Sequence, residues 1–420
     1  MAAPFSPVPS SPKGEPSKPK GAKPLDASVI TGVKYLTRLY SLMDSLASEG
    51  CQRDTAGNRQ LHYSQYAGLI LVGLFNPTLQ SLQGLSAASE LRKVQKAVGG
   101  PRVSVGSLSE SVRVFDPALL EPIFQDLFAQ LPEKLTRQTN THPSAHTQSV
   151  IPLELVSKLS AADGTALRAL PQIVGAIGSP RGAKWRLHVQ FEVHREIPEF
   201  ATLTPDETGG EDDERSVLAR NLRPERVYLL DRGYERYKLF AAIAAAGSDY
   251  ICRVQDRNVN VTKTQELTPA ARDARVISDE LVTLPGVPHP VRRITIQKPA
   301  QGRQRTDKPN SDKIVLMTNL LDVPAEVLAA LYELRWTIEL FFRFFKHVLG
   351  CRHLLSHKPE GVMIQVYCAL IAALLMSLTL GESIGIRGYE LICLFLQGWA
   401  EEDELLAGLR RLAAKQQKNQ

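Results

Sequence analysis

Two short apolar segments, each running into an aspartate, constrain this chain most. Leu153–Ala162 leads into Asp163 of an Ala-Asp-Gly-Thr step, and Val227–Leu230 (VYLL) leads into Asp231 of Leu-Leu-Asp-Arg-Gly-Tyr. Both segments read as strands with the aspartate directly after the last strand residue. Strands separated by helical stretches make a mixed α/β sheet, and carboxylates at the C-terminal ends of such strands often line a site. One such aspartate is ordinarily a turn or helix-capping residue. Two, joined by a third carboxylate, can converge on one point.

The third carboxylate stands in Tyr332–Lys346 (YELRWTIELFFRFFK), within a helical pattern that runs from about Pro324 to Leu349. At about 100° per residue, Tyr332, Arg335, Glu339 and Lys346 share an arc of roughly 60°. Leu334, Ile338, Phe341, Phe345 and Leu349 occupy the neighbouring arc. One side of the helix therefore packs into a core, and a stripe beside it offers a phenol, a guanidinium, a carboxylate and an ammonium group. Taken alone, the stripe reads as an Arg335–Glu339 pair on a solvated face. Taken with Asp163 and Asp231, Glu339 completes an oxygen donor set of the kind magnesium or manganese needs. Two such ions about 4 Å apart can clamp the attacking and leaving oxygens of phosphoryl transfer. Arg335 and Lys346 suit phosphates, one as a fork and the other as a point charge. Tyr332 can donate to a phosphate or stack on a base. Trp336, toward the other edge, can stack or simply pack.

A polyanionic partner agrees with the formal net charge of +6 over 420 residues, although many basic proteins bind no nucleic acid. Hydrophobic residues at 43% and charged residues at 22% are ordinary for a globular chain of two or three domains. Residues 1–27, rich in Pro, Ser and Lys, read as a disordered tail without a signal-peptide core. Residues 28–150 read as a helical domain, a bundle of a kind that can bind DNA although no recognition helix stands out. Its expected helices are Val33–Leu46, Tyr63–Phe75, Leu79–Val94, Ser107–Val114 and Pro117–Leu131, with Asn76-Pro77 as punctuation. Residues 151–254 hold the two aspartate strands, further strands at Trp185–Val193, Glu199–Thr204 and Tyr250–Val254, and a helix at Tyr234–Ala246. Residues 255–318 are β-rich with a loop around 299–312, residues 319–380 return to helix, and 381–420 form a C-terminal helical region. The apolar run Val366–Leu380 has fifteen residues, short of the roughly twenty of a membrane span, and reads as a buried helix. Five scattered cysteines without a Cys-x-x-Cys pair suggest neither a disulfide framework nor a zinc site, and favour a reducing compartment.

The spacing Tyr-(2)-Arg-(3)-Glu-(6)-Lys, together with Asp-Gly-Thr at 163–165 and Asp-Arg-Gly-Tyr at 231–234, resembles the IS-four group of bacterial DDE transposases. The resemblance covers about residues 28–380 and is strongest from 151 onward. It implies an α/β, ribonuclease-H-like catalytic core interrupted by a β-rich insertion at 255–318, with the helical domain before it. It also implies that Asp163, Asp231 and Glu339 are catalytic metal ligands, for two magnesium ions that manganese can replace. Tyr332, Arg335 and Lys346 would contact the transposon-end backbone and help hold a flipped base. The DNA partners would be double-stranded transposon ends and target, engaged by a homodimer, in a bacterial cytoplasm close to the nucleoid and away from any membrane. Hairpin intermediates are typical of the group. An aromatic residue of the insertion often stacks on the flipped base there. Residues 255–318 contain no Trp, Phe or Tyr, which leaves Trp185 as a substitute.

Among the remaining residues, His188 reads as a satisfied strand histidine. His347, His353 and His357, with Arg352 and Lys358, read as solvated surface or as phosphate contacts. The acidic run at 211–214 reads as a solvated loop. Thr165 and Arg232 either support the metal site or serve their turns. A DNA transposase is the reading these residues favour, and a catalytically inactive, element-derived DNA-binding protein is the alternative. A structure-specific nuclease of the same fold fits the complete helix signature less well.

Overall fold

The computed structural model describes residues 60–76, 79, 81–131, 151–168, 184–205, 210–298, 312–348, 354–356, 358–380 and 385–418, together with Leu46, Arg53 and Asp54. The tail at 1–27, Val33 and most of its expected helix, Pro77, most of the 299–312 loop, Leu349, Arg352, His353 and His357 lie outside these residues.

The N-terminal region is helical. Helix α1 (Tyr63–Leu74) lies where the apolar periodicity put it. The single helix expected over Leu79–Val94 is instead two, α2 (Leu82–Ala88) and α3 (Arg92–Val98). Ser89 explains the break. Its hydroxyl accepts the Val103 amide at 2.9 Å, and its carbonyl accepts the Gln95 side chain at 2.9 Å. Helices α4 (Val105–Ser111) and α5 (Leu120–Ala129) follow, α5 entered through a 3-10 turn at Pro117–Leu119.

Residues Leu153–Ser157 form a short helix, α6, rather than the start of a strand, and strand β1 runs from Leu159 to Arg168. Nine described strands form one sheet in the order β3-β2-β1-β4-β5-β9-β8-β7-β6. Strand β2 (Lys184–Glu192) is antiparallel to β1 on one side and to β3 (Ile197–Pro205) on the other, whereas β4 (Val227–Leu230) and β5 (Asp249–Val254) run parallel to β1. Helices α7 (Glu214–Arg220) and α8 (Tyr237–Ala245) connect these strands. The β-rich reading of 255–318 corresponds to β6 (Asn260–Thr264), a short helix α9 (Pro269–Asp273), β7 (Val276–Thr283), β8 (Val291–Gln297) and β9 (Lys313–Thr318). These strands continue the same sheet, because β9 pairs antiparallel with β5.

A buried ion pair ties that continuation to the helix after it. Arg292 of β8 donates to both oxygens of Asp279 on β7, at 2.8 and 2.6 Å, and to the carbonyl of Leu321 at 3.1 Å. It also donates to the carbonyl of Val323, just before helix α10 (Ala325–Glu333). Both charged side chains are only 5% exposed.

Helices α11 (Trp336–Val348), α12 (Pro359–Leu380), α13 (Ile386–Leu396) and α14 (Glu402–Lys418) complete the described chain. Helix α12 lies in the largest core, which also takes in the N-terminal helices, one face of the sheet and α11. Phe124 of α5 meets Tyr367 at 6.3 Å between ring centres, and Cys368 lies 4.0 Å from the carbonyl of Ala67 in α1. By length and composition Pro359–Leu378 is apolar enough to cross a membrane, and 83% of that window is buried inside the fold. On the opposite face of the sheet, Ala162, Leu218, Leu230, Phe240 and Tyr250 form a second core under α7 and α8.

Candidate active site

Asp163 sits in the middle of β1, not after its end. The antiparallel ladder with β2 continues past it to Arg168, while the described pairing with β4 stops at Ala161. The aspartate thus stands where one neighbouring strand ends and the other goes on. The β1–β4 ladder pairs Leu159 with Val227 and Ala161 with Leu229, so two residues further on Asp163 is level with Asp231. Asp231 follows the last residue of β4, as its sequence suggests, and caps a 3-10 turn at Arg232–Tyr234 by accepting the Gly233 amide at 2.7 Å. Asp163 accepts the Gly164 amide at 2.7 Å.

Strand alternation puts Asp163 on the same face as Ala161. Helix α11 covers that face, with Phe341 5.0 Å from Phe191 of β2, the partner of Ala161. Phe345, Ile338 and Leu334 are buried, as the helical arc requires. The expected single helix from Pro324 to Leu349 is nevertheless broken. Helix α10 ends at Glu333, and α11 begins at Trp336. Between them the amides of Leu334, Arg335, Thr337 and Ile338 bond three residues back, and the buried Thr337 hydroxyl donates to the Leu334 carbonyl at 2.8 Å. That tightened turn, reinforced by a local hydroxyl, replaces the α-helical ladder. Tyr332 therefore belongs to α10, and the four signature residues do not form one straight stripe.

Four of the expected site residues still gather with Asp231. Arg335 donates to Glu339 and also lies within electrostatic reach of Asp163. The Arg335 guanidinium stands 6.0 Å from the Tyr332 ring centre. Tyr332 is 9% exposed, and its hydroxyl is pushed up to about 12, chiefly by burial, with Arg335 and Arg253 opposing and Cys252 and Asp231 adding. Lys346 and Trp336 are exposed on α11, Trp336 at 43%. Among the described residues, no three His, Cys, Asp or Glu side chains close on one point, and Glu339 is engaged by Arg335.

The Asp163 carboxyl is pushed up to about 7. Burial is the main cause, Asp231 and Glu214 add to it, and the Gly164 amide and Arg335 oppose it. A raised carboxyl favours the folded state at low pH. That contribution is complete below the ordinary value of 3.8 and is lost as pH rises through about 7. The metal-free Asp163→Asn variant is accordingly expected to gain thermal stability relative to wild type as pH rises from about 5 to 8. Melting followed by circular dichroism checks this, and parallel pH profiles for the two proteins would contradict it.

One acidic residue near Asp163 is not apparent from the sequence. The run at 211–214 reads as a solvated loop, yet Glu214 is the first residue of α7 and its side chain is only 22% exposed. It accepts from Arg186 of β2 and packs against the back of Gly164. Burial raises the Tyr234 hydroxyl most, followed by Glu214, Asp163 and Asp231, so all three carboxylates act on one phenol. Only an unusual acid–glycine–arginine coincidence across three elements marks Glu214, and linear spacing does not show it.

His188 is a core histidine, 4% exposed, with Nε2 2.8 Å from the Thr204 hydroxyl. Burial, and Arg186 after it, hold its imidazole down near 4. His347 lies 3.4 Å from Glu390 of α13, an intramolecular contact. Thr165 is buried, Arg232 is exposed, and Trp185 is partly buried.

The family model of the transposase DDE domain matches residues 157–375. A Sinorhizobium fredii chain carrying the name transposase y4zB is 28% identical over 264 residues, which is 60% of this chain and 66% of that one. The transposase for insertion sequence element IS421 of Escherichia coli is 25% identical over 238 residues, 48% of this chain and 62% of its own length. This chain thus spans less than two thirds of the length of these relatives. Among solved structures, piggyBac transposase in a synaptic complex with hairpin DNA is 12% identical, with a TM-score of 0.39 over 90% of this chain and 81% of that one.

Proposed function

We propose, from the premise that the chain belongs to the transposase DDE-domain family, that it cuts the ends of a mobile element and joins them to target DNA by divalent-metal-dependent phosphoryl transfer. The observation that carries this reading is the level placement of Asp163 and Asp231 on parallel strands, under the helix that bears Glu339. The order β3-β2-β1-β4-β5, with two parallel strands beside an antiparallel trio, supports a ribonuclease-H-like core. On this reading β6–β9 are the insertion at 255–318, and residues 28–150 are the DNA-binding domain.

The donor set fits a hard divalent cation. Its ligands are carboxylate oxygens only, and the half-buried Asp163 carboxyl suffers a repulsion from Asp231 and Glu214 that a cation relieves. Asp163, Asp231 and Glu339 would hold magnesium or manganese, in one or two ions. Bound there, the metal supplies Lewis acidity to the attacking and leaving oxygens. The chain's own groups do the rest. Arg335 exchanges Glu339 for a DNA phosphate, which frees that carboxylate. Lys346 and the exposed Trp336 meet the backbone and a base, and Tyr332 steadies the Arg335 fork. The partners are double-stranded element ends and target, held by a homodimer in a bacterial cytoplasm.

The test is incubation of the purified chain with labelled DNA carrying its own element's ends, in magnesium and in EDTA. Cleavage at the end that needs magnesium is the expected result. Binding without cleavage, in magnesium and in manganese alike, would leave the element-derived DNA-binding protein as the better account.

A further inference from the structure

The most unusual unused feature is the glutamate behind Gly164. Asp163 lies on the face of β1 that α11 covers, whereas Glu214 approaches the same strand ends from the opposite face, out of α7. It gets close because position 164 has no side chain. A Cβ there would lie 2.6 Å from Glu214 Oε1, closer than real atoms pack, and 3.0 and 3.1 Å from its Cδ and Cγ, so the glutamate would have to shift. The glycine is not at a left-handed backbone position, so its small size and not its flexibility is what the site uses. The two carboxylate oxygens face different ways. Oε1 accepts from Arg186, while Oε2 lies 3.8 Å from where a Cβ at Gly233 would stand, beside the turn capped by Asp231.

We propose that Glu214 is a further acidic residue of the metal site, set beside the strand ends of Asp163 and Asp231 by the missing side chain at Gly164, with Arg186 engaging only its other oxygen and not needed to keep it there. The inference rests on the reading that Asp163 and Asp231 bind metal. A plain structural ion pair would need no glycine at 164 and would have no cause to place its acid within electrostatic reach of Asp163. Arg186 offsets part of that repulsion before metal arrives, by occupying one oxygen and leaving the other directed at the strand ends. The arrangement lets a fourth carboxylate stand in a half-buried cluster that would otherwise expel it.

The test uses the full chain without DNA, and follows Mn2+ binding by the electron paramagnetic resonance signal of the free ion. Glu214→Gln is isosteric and is expected to weaken Mn2+ binding about tenfold, the range seen when a supporting ligand is removed. Arg186→Gln breaks the same ion pair but keeps the carboxylate, so it is expected to retain binding within about threefold. Gly164→Ala, which displaces the carboxylate without changing any charge, is expected to follow Glu214→Gln, and it serves if Glu214→Gln does not fold. Equal losses in Arg186→Gln and Glu214→Gln would overturn the proposal, because Glu214 would then act only through the ion pair. So would wild-type binding in Glu214→Gln when Asp231→Asn has lost it. If Asp231→Asn also binds Mn2+ like wild type, the metal reading itself fails, and the role of Glu214 with it.

Discussion

Replacing Asp231 by Asn is expected to lower end cleavage by at least about a thousandfold, the scale on which removal of one preorganised electrostatic group is felt. The substitution keeps the shape of the side chain and its oxygen on the Gly233 amide, so the turn at Arg232–Tyr234 should persist. What disappears is one negative oxygen beside Asp163, and with it part of the attraction for a divalent cation. Affinity for end DNA should be unchanged or slightly tighter, because an anion has been removed next to a polyanion. Gel shift and single-turnover cleavage on the same DNA separate the two effects. Cleavage within about tenfold of wild type would remove Asp231 from the chemistry.

The largest stability effect is expected far from that site, at Arg292. Changing Arg292 to Met leaves Asp279 as a buried charge without its partner, and strips two donors from the carbonyls of Leu321 and Val323. Breaking one side of a buried pair typically costs about 3–5 kcal/mol, because the remaining ion stays desolvated. The double variant Arg292→Met, Asp279→Leu should recover much of that loss, since an apolar pair of similar volume needs no counter-charge. Denaturant unfolding of the three proteins gives the comparison. A loss below about 1 kcal/mol in the single variant would show that water reaches Asp279. The pair matters for function through position. It fixes the segment just before α10, and so sets where the Tyr332–Glu339 stretch begins its path over the sheet.

The sequence marked those elements whose signal is local. Val227–Leu230 is an uninterrupted buried strand ending at Asp231, and its apolar run is visible without any tertiary knowledge. The apolar arc of α11 was equally legible, because Ile338, Phe341 and Phe345 repeat with the helical period. What the sequence hid were decisions made by distant partners. Asp163 lies mid-strand because β2 keeps pairing beyond it, a fact held in residues 184–192. The turn at Leu334–Arg335 is reinforced by one buried threonine hydroxyl, in a stretch whose apolar spacing is helical throughout. Glu214 comes from a run of four acidic residues of which Asp213 is buried as the cap of α7 and Glu211 is exposed, and only the fold sets Glu214 beside Gly164. The continuation of the sheet through β9 to β6 was visible as β-forming composition, but its edge of attachment was not.

The burial of α12 also bears on how the chain is made. The carbonyl of Ala67 waits for a contact with Cys368, 301 residues further along. Helices α1 and α5 therefore cannot cover their apolar faces on the ribosome until almost the whole catalytic region has emerged. Contacts so distant in sequence form late and slowly. A chain cut short before Pro359 would retain α1 and α5 but could not complete the core they share with α12. Completion of the N-terminal helices is thereby tied to synthesis of the sheet that carries Asp163 and Asp231.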